Sequence, residues 1–76
     1  MVTVVIGKRA WKMTPEQAKE ILKLASDKVP FGIYAVRKGI DYYELKNDSF
    51  TSRTQLKQAR NEYRKRGLKV LCNGLK

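Results

Sequence analysis

Residues 32–46 read GIYAVRKGIDYYELK, and the topology turns on how that stretch folds. Tyr, Val and Ile are enriched, and Gly39 can take a positive φ, so the stretch predicts two strands joined by a tight turn at Lys38-Gly39. With that turn, strand alternation puts Ile33, Ala35, Arg37, Ile40, Tyr42 and Glu44 on one face. Tyr34, Val36, Tyr43 and Leu45 then share the other.

Working toward the N-terminus, Thr14-Pro15-Glu16-Gln17 supplies a helix start: Thr14 caps, Pro15 suits the first helical position, and Gln17 completes a capping box. Ala18, Ile21, Leu22, Ala25 and Val29 recur at helical spacing, with Glu16, Lys19 and Lys23 opposite. The helix should run to about Lys28 and stop before Pro30, because the residue preceding a proline is pushed out of helical geometry. Ahead of it, VTVVI at 2–6 is β-branched almost throughout and predicts a buried strand, and GKRAWKM at 7–13 reads as a basic loop.

Toward the C-terminus, Asn47-Asp48 predict a turn, Phe50 an anchor, and Ser52 or Thr51 the cap of a second helix. That helix should end at Gly67, with Arg64, Lys65 and Arg66 against the negative end of its dipole. LKVLC at 68–72 predicts a fourth strand. The expected order is βαββαβ in a single α+β domain over residues 1–76. The expected architecture is ferredoxin-like, a four-stranded antiparallel sheet in the order 4-1-3-2 with both helices on one face. An open sheet with the same elements packed differently is the alternative.

Composition bounds the function. The chain has 76 residues, with 17 Lys and Arg against 7 Asp and Glu, for a formal charge of +10. A potential of that sign attracts nucleic acid, anionic surfaces or acidic proteins. Histidine is absent and Cys72 is the lone cysteine, so a general base and a transition-metal shell are both missing and no enzyme, metal or other cofactor is expected. Asp41 and Glu44 fall on opposite faces of a strand and cannot pair for acid-base work. A single glycine in Gly7-Lys8-Arg9 falls short of a phosphate loop. Apolar runs such as Val4-Val5-Ile6 are far below the ~20 residues of a membrane span. The start reads as no signal peptide, and the cysteine usage fits a reducing compartment, so a cytoplasmic location is expected.

The candidate site is the second helix. At ~100° per residue, Arg53, Lys57, Arg60 and Arg64 fall within an arc of roughly 60°, about 90° from Leu56, Ala59 and Tyr63. Such a stripe can follow a phosphate backbone, and its arginines suit bidentate contact with phosphate. Lys8, Arg9 and Lys12 around Trp11 form a second candidate, an aromatic among cations that can stack a base or anchor a protein. If helices cover the Tyr34 face, Arg37 and Tyr42 lie on an open sheet, similar to RNA-binding sheets that stack bases on aromatics. Residues 38–45 share Lys-Gly and one aromatic with the third-strand motif of RNA-recognition motifs.

Tyr42-Tyr43-Glu44-Leu45, then Asp48-Ser49-Phe50-Thr51-Ser52 and a helix ending Arg66-Gly67-Leu68-Lys69-Val70, resembles SPOR peptidoglycan-binding domains. The resemblance implies a βαββαβ order and glycan binding, although those domains usually follow a membrane anchor and linker. The Phe-Thr-cap pattern is also similar to integrase arm-binding domains, and no site residue is carried over from either. The expected function is therefore a non-enzymatic nucleic-acid-binding module, DNA or RNA. The rival is a small phage-type or mobile-element protein that binds an acidic host protein, with SPOR-like glycan binding third.

Overall fold

A computed structural model of the protein describes residues 1–75. In chain order the described elements are β1 (Val2–Ile6), β2 (Arg9–Met13), α1 (Pro15–Lys28), β3 (Gly32–Gly39), β4 (Tyr42–Ser49), α2 (Arg53–Lys65) and β5 (Lys69–Asn73). They form a small α+β domain around a five-stranded mixed sheet in the order β2-β1-β4-β3-β5. The four-stranded antiparallel sheet with order 4-1-3-2 is thereby corrected.

The correction starts at residues 7–13, which hold a tight turn and a strand where a basic loop was expected. Ile6 pairs with Arg9 across the turn, and Gly7 sits at φ 64. A glycine at the first central position of a two-residue turn matches the twist of a hairpin. β2 therefore runs back along β1, and β2 rather than β1 feeds α1. β1 is left to lie parallel to β4, with Thr3 beside Tyr42 and Val5 beside Glu44. β5 pairs antiparallel with β3 and forms the far edge of the sheet, instead of pairing with the first strand.

Strand polarity then decides where the helices go. The connections β2-α1-β3 and β4-α2-β5 step across the sheet in the same direction but leave from strands of opposite polarity. Right-handed crossovers of that kind need helices on opposite faces. The packing follows: Val2, Val4, Met13 and Ala18 cluster under α1 with Ile21, Tyr43 and Leu45. Ile33, Val36 and Leu56 cluster under α2 with Ala59, Tyr63 and Val70. The expectation of both helices on one face is corrected to one helix on each.

The β3–β4 turn falls at Ile40-Asp41, later than Lys38-Gly39. Asp41 takes φ 56, and its carbonyl accepts from the Thr3 N–H at 2.8 Å, which ties the turn to β1. Together with a register shift between Arg37 and Gly39, the net slip is odd, so faces exchange partners. Arg37 now pairs with Tyr43 and Val36 with Glu44. Arg37 and Tyr42, expected on one face, point to opposite faces.

Both helices begin and end where their local chemistry dictates. Thr14 and Gln17 form the reciprocal capping box, and Ser52 Oγ accepts from Thr54 N–H at 3.2 Å. Gly67 at φ 77 closes α2: its N–H donates to Arg64 O at 2.9 Å, and Leu68 N–H donates to Tyr63 O at 3.1 Å. This pair of bonds is the Schellman arrangement, and Leu68 packs in the same cluster as Tyr63. The end of α1 is held from a distance. Asn73 Nδ2, on β5, donates to Ser26 Oγ at 2.7 Å, Val29 O at 2.9 Å and Ser26 O at 3.1 Å. It adds a second donor to the Ser26 carbonyl, which also accepts from the Val29 N–H, and gives the Val29 carbonyl beyond the helix end a partner.

Two substitutions test this packing by urea denaturation. Asn73→Asp replaces the donor with a carboxylate facing carbonyl oxygens, with an expected loss of about 2 kcal/mol. Gly32→Ala drives a methyl into the Asp48 carbonyl of the paired strand, with an expected loss of roughly 2–3 kcal/mol.

Candidate nucleic-acid interface

α2 seats Leu56, Ala59 and Tyr63 on the sheet, and the stripe flanks that seam. Arg53, Lys57 and Arg64 are exposed. Arg60 is half-buried because it leans toward β5, sharing a cleft of about 310 Å³ with Arg64, Leu68, Lys69, Val70 and Cys72. Its Nε is enclosed without a hydrogen-bond partner. The opposite flank of α2 faces β4, where Glu62, Tyr63 and Arg66 meet Asp48. The four stripe residues therefore lie along the β5 edge of the molecule.

Lys69, at the start of β5, extends the stripe. It lines the Arg60 cleft and a second, shallower one of about 300 Å³ with Arg37, Lys38, Gly39, Ile40 and Gly67. In the β3–β5 register Lys69 stands opposite Arg37. No carboxylate lines either cleft. Sequence reading placed Lys69 in the last strand and in no candidate site. The strand register that brings it beside Arg37 was the signal it lacked.

The other sequence candidates are dispersed. Lys8, Arg9, Trp11 and Lys12 belong to the β2 edge, four interstrand spacings of ~4.8 Å and hence about 19 Å from β5. They therefore stand at the opposite edge of the sheet from the α2 stripe. Trp11 is 48% exposed, so it does not close as a lid over the core. Tyr42, 38% exposed, lies on the α2-bearing face of central strand β4. Arg37 faces the α1 side but reaches the basic surface through Lys69.

The electrostatics are polarised across the sheet. α2 carries five cations, Arg53, Lys57, Arg60, Arg64 and Lys65, against one carboxylate, Glu62. α1 carries Lys19, Lys23 and Lys28 against Glu16, Glu20 and Asp27, and is balanced. Ion pairs among the described residues are Lys38–Glu44 at 2.7 Å, Lys46–Glu44 at 2.6 Å and Lys65–Glu62 at 3.8 Å. Arg53, Lys57, Arg60, Arg64, Lys69 and Arg37 take part in none of them. Arg66 sits over the Tyr63 ring, 5.9 Å from its centre.

Among the described residues no three His, Cys, Asp or Glu side chains gather as metal ligands, and no helix is long and apolar enough to cross a membrane. The hydrogen bond from Lys38, followed by that from Lys46, holds the Glu44 carboxyl below its ordinary range. The hydrogen bond to Glu44 raises Lys46 in turn.

A depressed carboxylate pKa contributes stability above the unfolded glutamate value, and that contribution is lost as pH falls through the folded value. Glu44→Gln is expected to cost no more than about 1 kcal/mol at pH 7. The difference from the parent should vanish in acid, as read by thermal unfolding from pH 7 down to pH ~2.

No family model matches the chain, and neither a curated protein nor a solved structure gives a significant match.

Proposed function

We propose that the protein is a non-enzymatic nucleic-acid-binding module. Arg53, Lys57, Arg60 and Arg64 of α2 contact phosphates, and Lys69 and Arg37 prolong the contact around the β5 edge. The observation that carries this reading is the segregation of charge. Two helices of similar length cover opposite faces, one balanced and the other with five cations to one carboxylate. A surplus serving solubility alone has no reason to collect on one helix.

The geometry suits an extended polyanion. From Arg53 to Arg64 the stripe is about 16 Å long at ~1.5 Å per residue, close to the rise of five base pairs at ~3.4 Å each. Arg60 supports the reading separately, since the cleft that it shares with Arg64 and Lys69 gathers three cations. Lys8, Arg9, Trp11 and Lys12 lie outside this interface.

The test is fluorescence anisotropy with a labelled duplex oligonucleotide over a salt series. Four phosphate contacts give a slope of log K against log salt near −3.6, at about −0.9 per contact, and participation of Lys69 and Arg37 steepens it toward about −5.4. Arg53→Glu/Lys57→Glu/Arg64→Glu, all at exposed positions, should abolish measurable binding at ~150 mM salt. Arg9→Glu/Lys12→Glu should leave most of it intact. A flat salt response, or equal weakening by both variants, overturns the assignment.

A further inference from the structure

The β2 edge combines features that the α2 interface does not use. β2 pairs with β1 alone, so the peptide groups on its outer rim have no strand partner. Edges of this kind are usually blunted by charge, and Lys8, Arg9 and Lys12 fit that role. The surface beside them does not. Trp11 is 48% exposed, Ile6 40% and Leu24 60%. A groove of about 360 Å³ runs between Trp11, Ile6 and Met13 on the sheet and Ile21 on α1. It continues past Ile6 and Ile21 into one of about 500 Å³ that reaches Leu24 and Leu45.

We propose that the free edge of β2 accepts an extended, acidic segment of a partner protein as a sixth strand, with one of its apolar side chains seated in the groove beside Trp11. Strand addition supplies backbone hydrogen bonds, and the groove supplies a side-chain pocket next to the added strand. Charge complementarity selects the occupant. Residues 7–13 hold three cations and no carboxylate, and none of the three takes part in an ion pair among the described residues. A second copy fits poorly, because β2–β2 pairing gathers the three cations of each copy along one seam whose residues 7–13 supply no carboxylate. Nucleic acid fits poorly too, since the groove is walled mainly by Ile6, Trp11, Met13 and Ile21, which suit an apolar side chain and offer a phosphate backbone nothing. An acidic strand with its apolar side chain in the pocket beside Trp11 turns its alternating carboxylates to the other face, where Lys12 stands.

The experiment uses the isotope-labelled full chain and three blocked synthetic hexapeptides: alternating Glu-Val, alternating Lys-Val, and all Glu. The Glu-Val peptide should shift and protect the amides of residues 9–13, and bind at least about tenfold more tightly than either control. Lys12→Glu should reverse the preference toward the Lys-Val peptide, and Trp11→Ala should weaken Glu-Val binding about tenfold. The α2 triple-charge variant should keep the peptide site whatever it does to oligonucleotide binding, which separates this proposal from the preceding one. Equal binding of the all-Glu peptide, or shifts centred on Arg53 to Arg64, overturns the proposal. So does a duplex oligonucleotide that displaces the peptide from residues 9–13, or a peptide-free dimer in sedimentation that protects β2.

Discussion

A helix that connects two strands of one sheet with the preferred hand can lie on only one face, and strand polarity decides which. That constraint organises this molecule from a single residue pair near its start. Gly7 and Lys8 turn the chain through a tight hairpin, with Gly7 at φ 64. β2 consequently leaves for α1 in the direction opposite to β1. Had β1 entered the helix directly, the connection would join the antiparallel strands β1 and β3, and the crossover rule would assign α1 no face. The reversal creates an α/β/α sandwich in which each helix has a sheet face to itself.

Two helices on two faces require two cores, and a chain of 76 residues has little apolar material to divide. The division is lean. Val2, Val4, Met13 and Ala18 make one cluster and Ile33, Val36 and Leu56 the other. The central strands serve both, with Tyr43 and Leu45 turned toward α1 while neighbouring Val36 and Ile33 turn toward α2. Asn73 compensates for the thinness of each layer by reaching from the last strand to the carbonyls at the end of α1. One polar side chain thus couples the far edge of the sheet to the helix on its other face.

What could be read from the chain follows the range of the interactions involved. The Thr14-Gln17 capping box, the Ser52 cap and the Gly67 terminus are settled within a few residues, and each stands where the sequence puts it. The helical period is equally local, so the arc holding Arg53, Lys57, Arg60 and Arg64 was legible before any topology was known. β2 was not legible, because an edge strand can be solvated along its rim and RAWKM carries charge among its apolar residues. The Gly-Lys turn ahead of it was the available signal, masked by the surrounding cations. The hairpin faces were lost for another reason: bulges shift register by one residue without marking the sequence, and one residue exchanges every face. Lys69 and Arg37 meet only through such a register, and the distance between Trp11 and α2 became visible only once β2 took its place at the edge of the sheet.

The same residue types do unlike physical work on the two edges. Along α2 the stripe cations Arg53, Lys57, Arg60 and Arg64 are spaced by helical turns, take part in no ion pair among the described residues and project over a long front, an arrangement whose attraction is additive and reaches as far as salt screening allows. Along β2 the cations are few and flank an exposed tryptophan and an open row of peptide groups. There their main effect is discrimination: they oppose pairing of the edge with a second copy of this chain while leaving it competent for a strand of the opposite charge. A net charge of +10 summed over the molecule hides this difference. The fold exposes it, because the inserted hairpin puts four strand spacings between a surface that attracts by charge and an edge that sorts by it.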